Sequence, residues 1–516
     1  MGKKFFAMLT MSAVLGLTVL PASVSAQAEQ AVKIPEFEGP IEITETSHPF
    51  TVGGTDLEAN GYTLEEYYVS GTANVYDWGE DGNAEQPQVR TPDAPYTTRI
   101  VVRKPQTPEM FSGNVWVELN NPSRGWDVEV QWPVVQEEVM SSGDIWVSMT
   151  VKPNVIASLQ RVDEERYGKL SMANPLPPEE QTTGLLPEDE GYDENLSKLY
   201  ENGLAWDMIS QVGALVRSEN GPLAGYEVDY VFGTGESQTG FYINTYAANF
   251  AENALLEDGK KVYDGFVSAS GAGKVVAINQ ALEALGPDDP RSALPEKHVP
   301  FMRIDAQGDI FGLGSYEWRR EDCDDTDAGY RIYEIAGAPH GPSYIMGYQP
   351  LEEDILKTGD LPSQVPYQYG GKEEKANHFY REYIEKAMYH NFKEWVINGV
   401  LPPKAELIEV TEDGTEFVYD EHGNVKGGVR SPALDVPTAT YYEAATEIEG
   451  EPFAWSFGYQ EDFSTQKLQE LYGVIAPSQT YVAMVKESAD KLVEEGFLLP
   501  EDAEEIILQA ELTPIP

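Results

Sequence analysis

Cysteine is almost absent from this chain of 516 residues, in which Cys323 stands alone. A single cysteine excludes an intramolecular disulfide, so the core has to stabilise the fold. Cys323 lies in the acidic turn EDCDD, where neighbouring carboxylates disfavour a thiolate. We therefore do not expect this cysteine to act as a nucleophile.

Basic residues are also scarce. Lysine and arginine number 35 against 87 aspartates and glutamates, and the formal net charge is −52. Such a charge argues against a nucleic-acid or anionic-membrane partner bound through a basic surface. A salty or alkaline external medium would tolerate the self-repulsion, which is our hypothesis for the habitat. The hydrophobic content of 41% and the aromatic content of 11% are enough for a large ordered core.

Long apolar runs are missing after Leu20. Before that point, Lys3 and Lys4 precede an apolar run from Phe5 to Leu20, and small residues follow as far as Ala26. This pattern is typical of a secretory signal over residues 1–26, cleaved after Ala26 or two residues later, with an uncleaved anchor as the alternative. The sequence thus predicts a secreted or extracytoplasmic protein without membrane contact beyond the signal.

Patterns for metals and nucleotides are lacking too. The segment EDCDDTDAG has no alternating ligands and no closing glutamate of a calcium loop, and no two histidines have metal-binding spacing on a helix. The G-x-G-x-x-G and Walker patterns are absent. We expect no metal and no cofactor.

What the sequence does contain is a serine between a strand pattern and a helix pattern. In VDYVFGTGESQTGFYINTYAAN, the residues before Gly233 are typical of a strand, and those after Ser237 carry apolar side chains at helical spacing. A strand, a glycine turn and a helix around one serine are typical of a nucleophile elbow, which exposes the hydroxyl to a base. The usual G-x-S-x-G pattern is imperfect here, because Thr239 replaces the last glycine and Gly240 follows one position later. A glycine-rich turn before a helix is the alternative interpretation.

Strand and helix patterns alternate on both sides of this serine. Strands are predicted at 65–76, 97–105, 114–120, 144–153, 261–270, 299–306 and 330–337, and helices at 196–218, 275–285, 375–397 and, with breaks, 466–510. Such alternation predicts an α/β fold with a mostly parallel central sheet flanked by helices. The segment 154–196, rich in Pro, Gly and acid, predicts a long irregular excursion, and residues 408–442 predict a hairpin and loop. Either segment could cover a site at the serine.

The predicted organisation has four parts. Residues 1–26 form the signal, 27–110 a β-rich extension of the sheet, 111–350 the core with its excursion, and 351–516 C-terminal helices and a hairpin region packed on the core.

A serine nucleophile needs a base, and the six histidines allow a choice by elimination. Only His340 follows the end of a strand downstream of Ser237, in the loop IAGAPHGPSY. In hydrolases with this elbow, the order along the chain is serine, acid, histidine. Asp309, directly after the strand VPFMRI, is the predicted acid, and Asp305 is the alternative.

An oxyanion formed at this serine needs backbone donors. The amide of Gln238, which follows the nucleophile, is the first predicted donor. The second has to come from the loop after an earlier strand, at Asn121 or Ser123, because Pro122 has no N–H.

Several motifs, in order along nearly the whole chain after the signal, resemble one bacterial family of α/β-hydrolase-domain proteins with a G-E-S-Q-S/T elbow. The motifs are GESQTGFYINTY (235–246), VWVELNNPSRGWD (115–127), ERYGKL (165–170), VYDGF (262–266), RIYEIAGAPH (331–340) and DEHGNVKGGVRSPALDVPTATY (420–441). The resemblance implies the α/β-hydrolase fold, with lid-like insertions, a nucleophile at Ser237 and a base at His340. Where the family more often has an acidic residue, Gln307 stands here, and Asp309 is the acid that remains of the pair.

The resemblance also implies hydrolysis of a carboxylic ester, a small molecule, by a serine esterase. The same triad could instead serve acyl transfer, or lactone or amide cleavage, and the fold could serve a non-catalytic binding protein. A carbohydrate hydrolase with paired carboxylates is disfavoured, since no pair stands out among the acidic residues. The oligomeric state is left open.

Overall fold

A computed structural model describes residues 31–177, 199–341, 347–360, 375–377, 379–444 and 454–516. The predicted signal, residues 1–26, lies outside the described residues. So does the part of the predicted excursion after residue 177.

Nine strands in the described part of the chain form one sheet. They are β1 (Glu36–Glu38), β2 (Tyr62–Asp77), β3 (Gln88–Pro105), β4 (Asn114–Leu119), β5 (Ile145–Met149), β6 (Tyr230–Glu236), β7 (Gly265–Ala269), β8 (Phe301–Ala306) and β9 (Tyr330–Ile335). Their order across the sheet is β1-β2-β3-β5-β4-β6-β7-β8-β9. The first three strands are antiparallel to their neighbours, whereas β5, β4 and all strands from β6 to β9 run parallel. The predicted α/β fold with a mostly parallel sheet is confirmed.

Helices cover both faces of this sheet. Those described are α1 (Gln131–Ser142), α2 (Ile156–Val162), α3 (Glu164–Tyr167), α4 (Ala205–Val216), α5 (Gln238–Asn249), α6 (Gln307–Gly312), α7 (Glu352–Thr358), α8 (Arg381–Asn398), α9 (Pro432–Asp435), α10 (Thr465–Tyr472), α11 (Pro477–Glu495) and α12 (Pro500–Leu512). Apolar side chains of α4 and α5 pack in one core cluster, and those of α1 and α8 pack in a second one. Because both faces are covered, the parallel strands are buried along their length, as their near-continuous apolar sequences require.

The predicted helix at 275–285 is wrong. The backbone there is irregular, and side chains of neighbouring elements bind its polar groups. Thr245 accepts from the N–H of Val276 at 2.8 Å, and the Trp206 indole donates to the carbonyl of Ile278 at 2.7 Å. Since these groups are satisfied by tertiary contacts, the apolar spacing in this segment reflects packing and not a helix.

Other boundaries also differ from prediction, among them the helix expected from residue 196, which begins at Ala205. The helix expected from residue 375 begins at Arg381, because Lys375–Ala376 form a short strand, β10, in a three-stranded sheet with β11 (Ala439–Tyr442) and β12 (Tyr459–Asp462). The excursion predicted to be irregular from residue 154 includes the short helices α2 and α3. None of the helices in the described ranges is both long enough and apolar enough to span a bilayer.

Candidate active site

Ser237 occupies a sharp turn between β6 and α5. Its backbone angles, φ of 53° and ψ of −118°, lie in a region that residues other than glycine rarely adopt. Its N–H donates to the carbonyl of Ala269 on the neighbouring strand β7 at 3.0 Å. The turn therefore stores local strain at the centre of the sheet, as a nucleophile elbow does.

The departure from the usual elbow pattern has a structural explanation. The hydroxyl of Thr239, which is fully buried, donates to the carbonyl of Glu236 at 3.0 Å and accepts from its N–H at 3.2 Å. The helix backbone instead approaches the neighbouring chain segment at Gly240, where an added Cβ would lie 2.7 Å from Cα of Gly271. Threonine thus braces the turn, and the glycine one position later provides the close approach.

Three side chains from separate parts of the chain meet at this turn. Nε2 of His340 lies 2.9 Å from Oγ of Ser237, and Nδ1 of His340 lies 2.6 Å from Oδ1 of Asp309. The second oxygen of Asp309 accepts from the N–H of Ala306 at 2.6 Å. With the proton of the neutral ring on Nδ1, facing Asp309, Nε2 is free to accept from the serine hydroxyl.

The electrostatics of this chain of contacts suit a base. Burial by itself disfavours the charged ring, but the Asp309 carboxylate outweighs it and raises the pKa of His340 above its ordinary value. Burial would raise the pKa of Asp309, yet His340 and the Ala306 N–H lower it below the ordinary value. Asp309 is therefore ionised and favours the imidazolium that forms when His340 takes a proton.

Asp305, the alternative acid, is bound elsewhere. It accepts from Nε of Arg303 at 2.7 Å and from the hydroxyl of Ser315 at 2.8 Å. Its contacts in the structure are with a buried arginine, and not with His340.

The predicted oxyanion donors differ in availability. Gln238 is the first residue of α5, and its N–H has no hydrogen-bond partner within the described part of the chain. The Asn121 N–H already donates to the carbonyl of Val128 at 2.8 Å, and the Ser123 N–H donates to Oδ1 of Asn121 at 2.9 Å. In this arrangement neither amide is open to an oxyanion, because a tight turn after β4 uses both. The expectation that Asn121 or Ser123 supplies the second donor stays a prediction, and it would require the turn after β4 to release one of these amides.

Glu236 belongs to the site although its role was not anticipated. Its side chain is buried, with one oxygen 3.8 Å from Nε2 of His340 and the other accepting from the side-chain Nδ2 of Asn121 at 3.2 Å. Burial raises its pKa to about 7, partly offset by His340 and Arg381. The letters G-E-S-Q contain this glutamate, but only the fold shows that it lies beside the histidine.

Arg381 and Trp455 also lie next to His340. No pattern in the sequence had indicated that either residue belongs to the site. The buried guanidinium of Arg381, at the start of α8, donates to the carbonyl of Pro339 at 3.2 Å and to the hydroxyl of Ser270 at 2.9 Å. The indole of Trp455 stacks on the imidazole with ring centroids 5.0 Å apart and an interplanar angle of 24°. These contacts hold the histidine loop and cover one face of the ring.

Comparisons with known proteins were made for sequence families, curated sequences and solved structures. A model of the alpha/beta hydrolase domain family matches residues 37–508. No curated protein sequence matches.

Similar solved structures include three esterases. An inhibited esterase B from Lactobacillus rhamnosis is 11% identical with a TM-score of 0.28, over 58% of this chain and 88% of that one. An esterase from Pyrobaculum calidifontis is 13% identical with a TM-score of 0.29, over 66% and 86%. Acetyl xylan esterase 1 from a Thermoanaerobacterium species is 13% identical with a TM-score of 0.28, over 58% and 81%. Identities and TM-scores this low carry no argument about activity.

Proposed function

This chain belongs to the alpha/beta hydrolase domain family, and from that premise we propose that it is a serine esterase that cleaves a carboxylic ester through an acyl-enzyme intermediate. The observation that carries the proposal is the continuous contact from Ser237 through His340 to Asp309, at 2.9 Å and 2.6 Å. A serine hydroxyl bound to a histidine that is itself held by a carboxylate is the arrangement that activates serine for acyl transfer.

The first half of the reaction forms the acyl-enzyme. Oγ of Ser237 attacks the ester carbonyl carbon while Nε2 of His340 takes the hydroxyl proton. The carbonyl oxygen becomes an oxyanion, which the open N–H of Gln238 and the positive end of the α5 dipole stabilise. His340 then gives the proton to the alkoxy oxygen, the carbon–oxygen bond breaks and the alcohol leaves.

The second half repeats these steps with water. His340 takes a proton from water, and the resulting hydroxide attacks the acyl carbon. Collapse of the second tetrahedral intermediate returns the proton to Oγ of Ser237 and releases the acid. Asp309 keeps the ring in one tautomer throughout, and it stabilises the imidazolium without being protonated.

Labelling and hydrolysis of a set of substrates test this proposal together. A fluorophosphonate probe should label the wild type at Ser237, and a panel of aromatic and aliphatic esters should be turned over. Ser237→Ala should lose labelling and on the order of a thousandfold or more in kcat/KM. Ser141→Ala, at an exposed serine in the last turn of α1, is the control and should retain both.

Three results would contradict it. Equal activity of wild type and Ser237→Ala would place the reaction elsewhere. Absence of both labelling and turnover would favour a binding protein on the same fold. Turnover only of lactones or amides, added to the panel, would keep the triad and change the substrate class.

We also propose that the enzyme acts outside the cytoplasm. The support is the pattern of residues 1–26, two lysines, an apolar run and small residues before Ala26. N-terminal sequencing of the protein from the culture medium should give a chain that starts after Ala26 or Ala28. An intact Met1 in a cytosolic fraction would contradict this location.

A further inference from the structure

Lys152 follows β5 at the same edge of the sheet as the nucleophile. Its Nζ lies 3.4 Å from Oε1 of Gln238, the residue next to Ser237, and 5.4 Å from the ring centroid of Tyr242 on α5. The carboxyl ends of parallel strands meet at one edge of the sheet, and only β4 lies between β5 and β6, which explains why these two strands bring the ammonium and the elbow together. The lysine therefore contacts the side chain of the residue whose backbone N–H is the predicted oxyanion donor.

This ammonium has no carboxylate partner in the described part of the chain. Lys386 and Lys393, by contrast, each bind a buried acid, at 2.5 Å to Asp502 and at 3.0 Å to Asp144. The absence of a partner for Lys152 is notable in a protein with 87 acidic and 35 basic side chains. Burial without an anion lowers the pKa of Lys152 to about 8. The ammonium is thus still mainly charged at neutral pH. Its desolvation costs free energy that no ion pair in the described residues offsets.

The surroundings leave room for one more contact. An ammonium has three N–H donors, of which Gln238 uses one and the face of Tyr242 accepts another. The side chain is only half-buried, so part of its surface is open to an incoming group. The third N–H donor of Lys152 therefore lies beside the nucleophile and is suited to bind an anionic group of a ligand.

We propose that Lys152 is an anion subsite of the active centre and that the substrate is an ester carrying a second, ionised carboxyl group. The proposal rests on the proposed function and names its substrate class. The carboxylate of the substrate would complete the ion pair that the protein leaves open, and the reacting carbonyl would lie between that pair and Ser237. An ester without the carboxylate would leave the Lys152 ammonium unpaired in a partly dry site. A binding site discriminates strongly against a ligand that leaves such a group without its partner.

Calorimetry on inactive protein tests the subsite without turnover. Ser237→Ala is titrated with the monoethyl and diethyl esters of succinate, glutarate and adipate. For at least one chain length, the half-ester should bind about tenfold or more tightly than its diester, equivalent to about 1.4 kcal/mol. Adding Lys152→Met should abolish the difference and leave the affinity for the diester unchanged. Lys152→Gln provides a second substitution, should the methionine variant fold poorly.

Lys467→Met is the matched control for this change. Lys467 is also half-buried over an aromatic ring, with Nζ 3.5 Å from the centroid of Phe463, and it has no ion pair in the described ranges. It lies on α10, so the preference for the half-ester should survive its removal. Equal affinities for half-esters and diesters, or a preference that survives in Lys152→Met, would overturn the proposal.

Turnover separates a subsite from mere support of Gln238. In the enzyme that retains Ser237, Lys152→Met should raise KM for half-esters by a larger factor than it changes KM or kcat for diesters. The preference of the wild type should also fade above about pH 8, where Lys152 loses its proton. An equal loss of kcat on both ester types would mean that Lys152 only positions Gln238, which overturns the inference. Failure of fluorophosphonate labelling would defeat the proposed function, while the binding measurement would still decide the subsite.

Discussion

The carboxylate of Glu236 lies 3.8 Å from Nε2 of His340, the ring nitrogen that contacts Ser237. Two acidic groups therefore surround one imidazole, since Asp309 binds the opposite nitrogen at 2.6 Å. Both raise the pKa of His340, and Glu236 is buried with Arg381 as an additional positive neighbour. The proton affinity of the base is thus set from both ends of the ring.

Glu236→Gln should shift the pH profile. His340 has to be neutral to accept the serine proton, so kcat/KM rises with pH through the pKa of His340. As pH approaches and passes the Glu236 pKa of about 7, the ionised Glu236 raises the pKa of His340, so Glu236→Gln should lower the His340 pKa and move the acidic limb to lower pH. The maximum rate should fall by about tenfold, equivalent to about 1.4 kcal/mol, because the imidazolium in the transition state loses one stabilising charge.

Glu118→Gln is the control for this profile. Glu118 is also a buried carboxyl with its pKa raised to about 7, by burial and by Glu129, but its oxygens bind the start of α1 and Trp146. Glu118→Gln should leave the acidic limb of the kcat/KM profile at the same pH as in the wild type. A limb that moves equally in both variants, or in neither, would contradict the role of Glu236.

Asp309→Asn should nearly abolish activity. An amide at this position presents N–H where His340 needs an acceptor, so the ring adopts the wrong tautomer and kcat falls by about 10⁴-fold. Steady-state kinetics on a fully folded preparation measure the loss.

Asp305→Asn is its matched comparison. It leaves the buried Arg303 without its ion-pair partner, which should cost about 3–5 kcal/mol of stability. Activity per folded molecule and the pH profile should stay near wild type. If Asp305→Asn instead lost activity with unchanged stability, the two aspartates would have to exchange roles.

Thr239→Val should weaken the elbow. Valine keeps the shape but removes the hydroxyl that binds both polar groups of the Glu236 backbone, so the buried N–H loses this acceptor and the carbonyl retains the side-chain amide of Asn121 as a donor. The free energy of unfolding should fall by about 1–3 kcal/mol, measured by urea denaturation. Thr239→Ser retains the hydroxyl and should stay close to wild type. Equal stability of the valine and serine variants would show that the hydroxyl does not brace the turn.

The free energy of unfolding should fall as pH rises from about 5 to 7. Burial raises the pKa of Glu118, Glu236 and Glu382 to about 7 and that of Asp502 to about 6. The folded state holds these protons where the unfolded chain, with ordinary values near 4, has lost them, so their stabilisation is present at low pH and lost as pH passes 6 to 7. Below about pH 4 the trend reverses. The pKa values of Glu129 and Glu138 are lowered to about 2 in the folded state, so the protein loses stability when these carboxylates are protonated.

Thermal melts between pH 4 and 8 at constant salt measure this trend. The melting temperature should be highest near pH 5. Glu382→Gln should flatten the decline between pH 5 and 7, since it removes one of the titrating groups. A melting temperature that rises steadily to pH 8 would contradict the assignment of protonated buried carboxyls.

Local patterns were sufficient for strands β4 to β9 and for the elbow, whereas β1 was not predicted. Strands β4 to β9 are short apolar runs between turns, and such runs have few other stable arrangements in a large core. Ser237 could be selected because a strand, a turn and a helix are consecutive in sequence. The helix predicted at 275–285 failed because its apolar residues contact α4 and α5 without a helical backbone, which spacing alone does not reveal.

The sequence by itself determined the fold class, the family resemblance and the candidates Ser237 and His340 with an acid at Asp309 or Asp305, because each of these was recognised from a local pattern. Only the tertiary structure decided which acid faces the histidine, since Asp305 and Asp309 differ by four residues but point to Arg303 and His340. It alone placed Glu236 beside the base and left Lys152 beside the elbow without an acidic partner among the described residues. Charge partners come from strands and helices far apart in the chain, and their distances are set by how the sheet orders its strands, which sequence spacing does not encode.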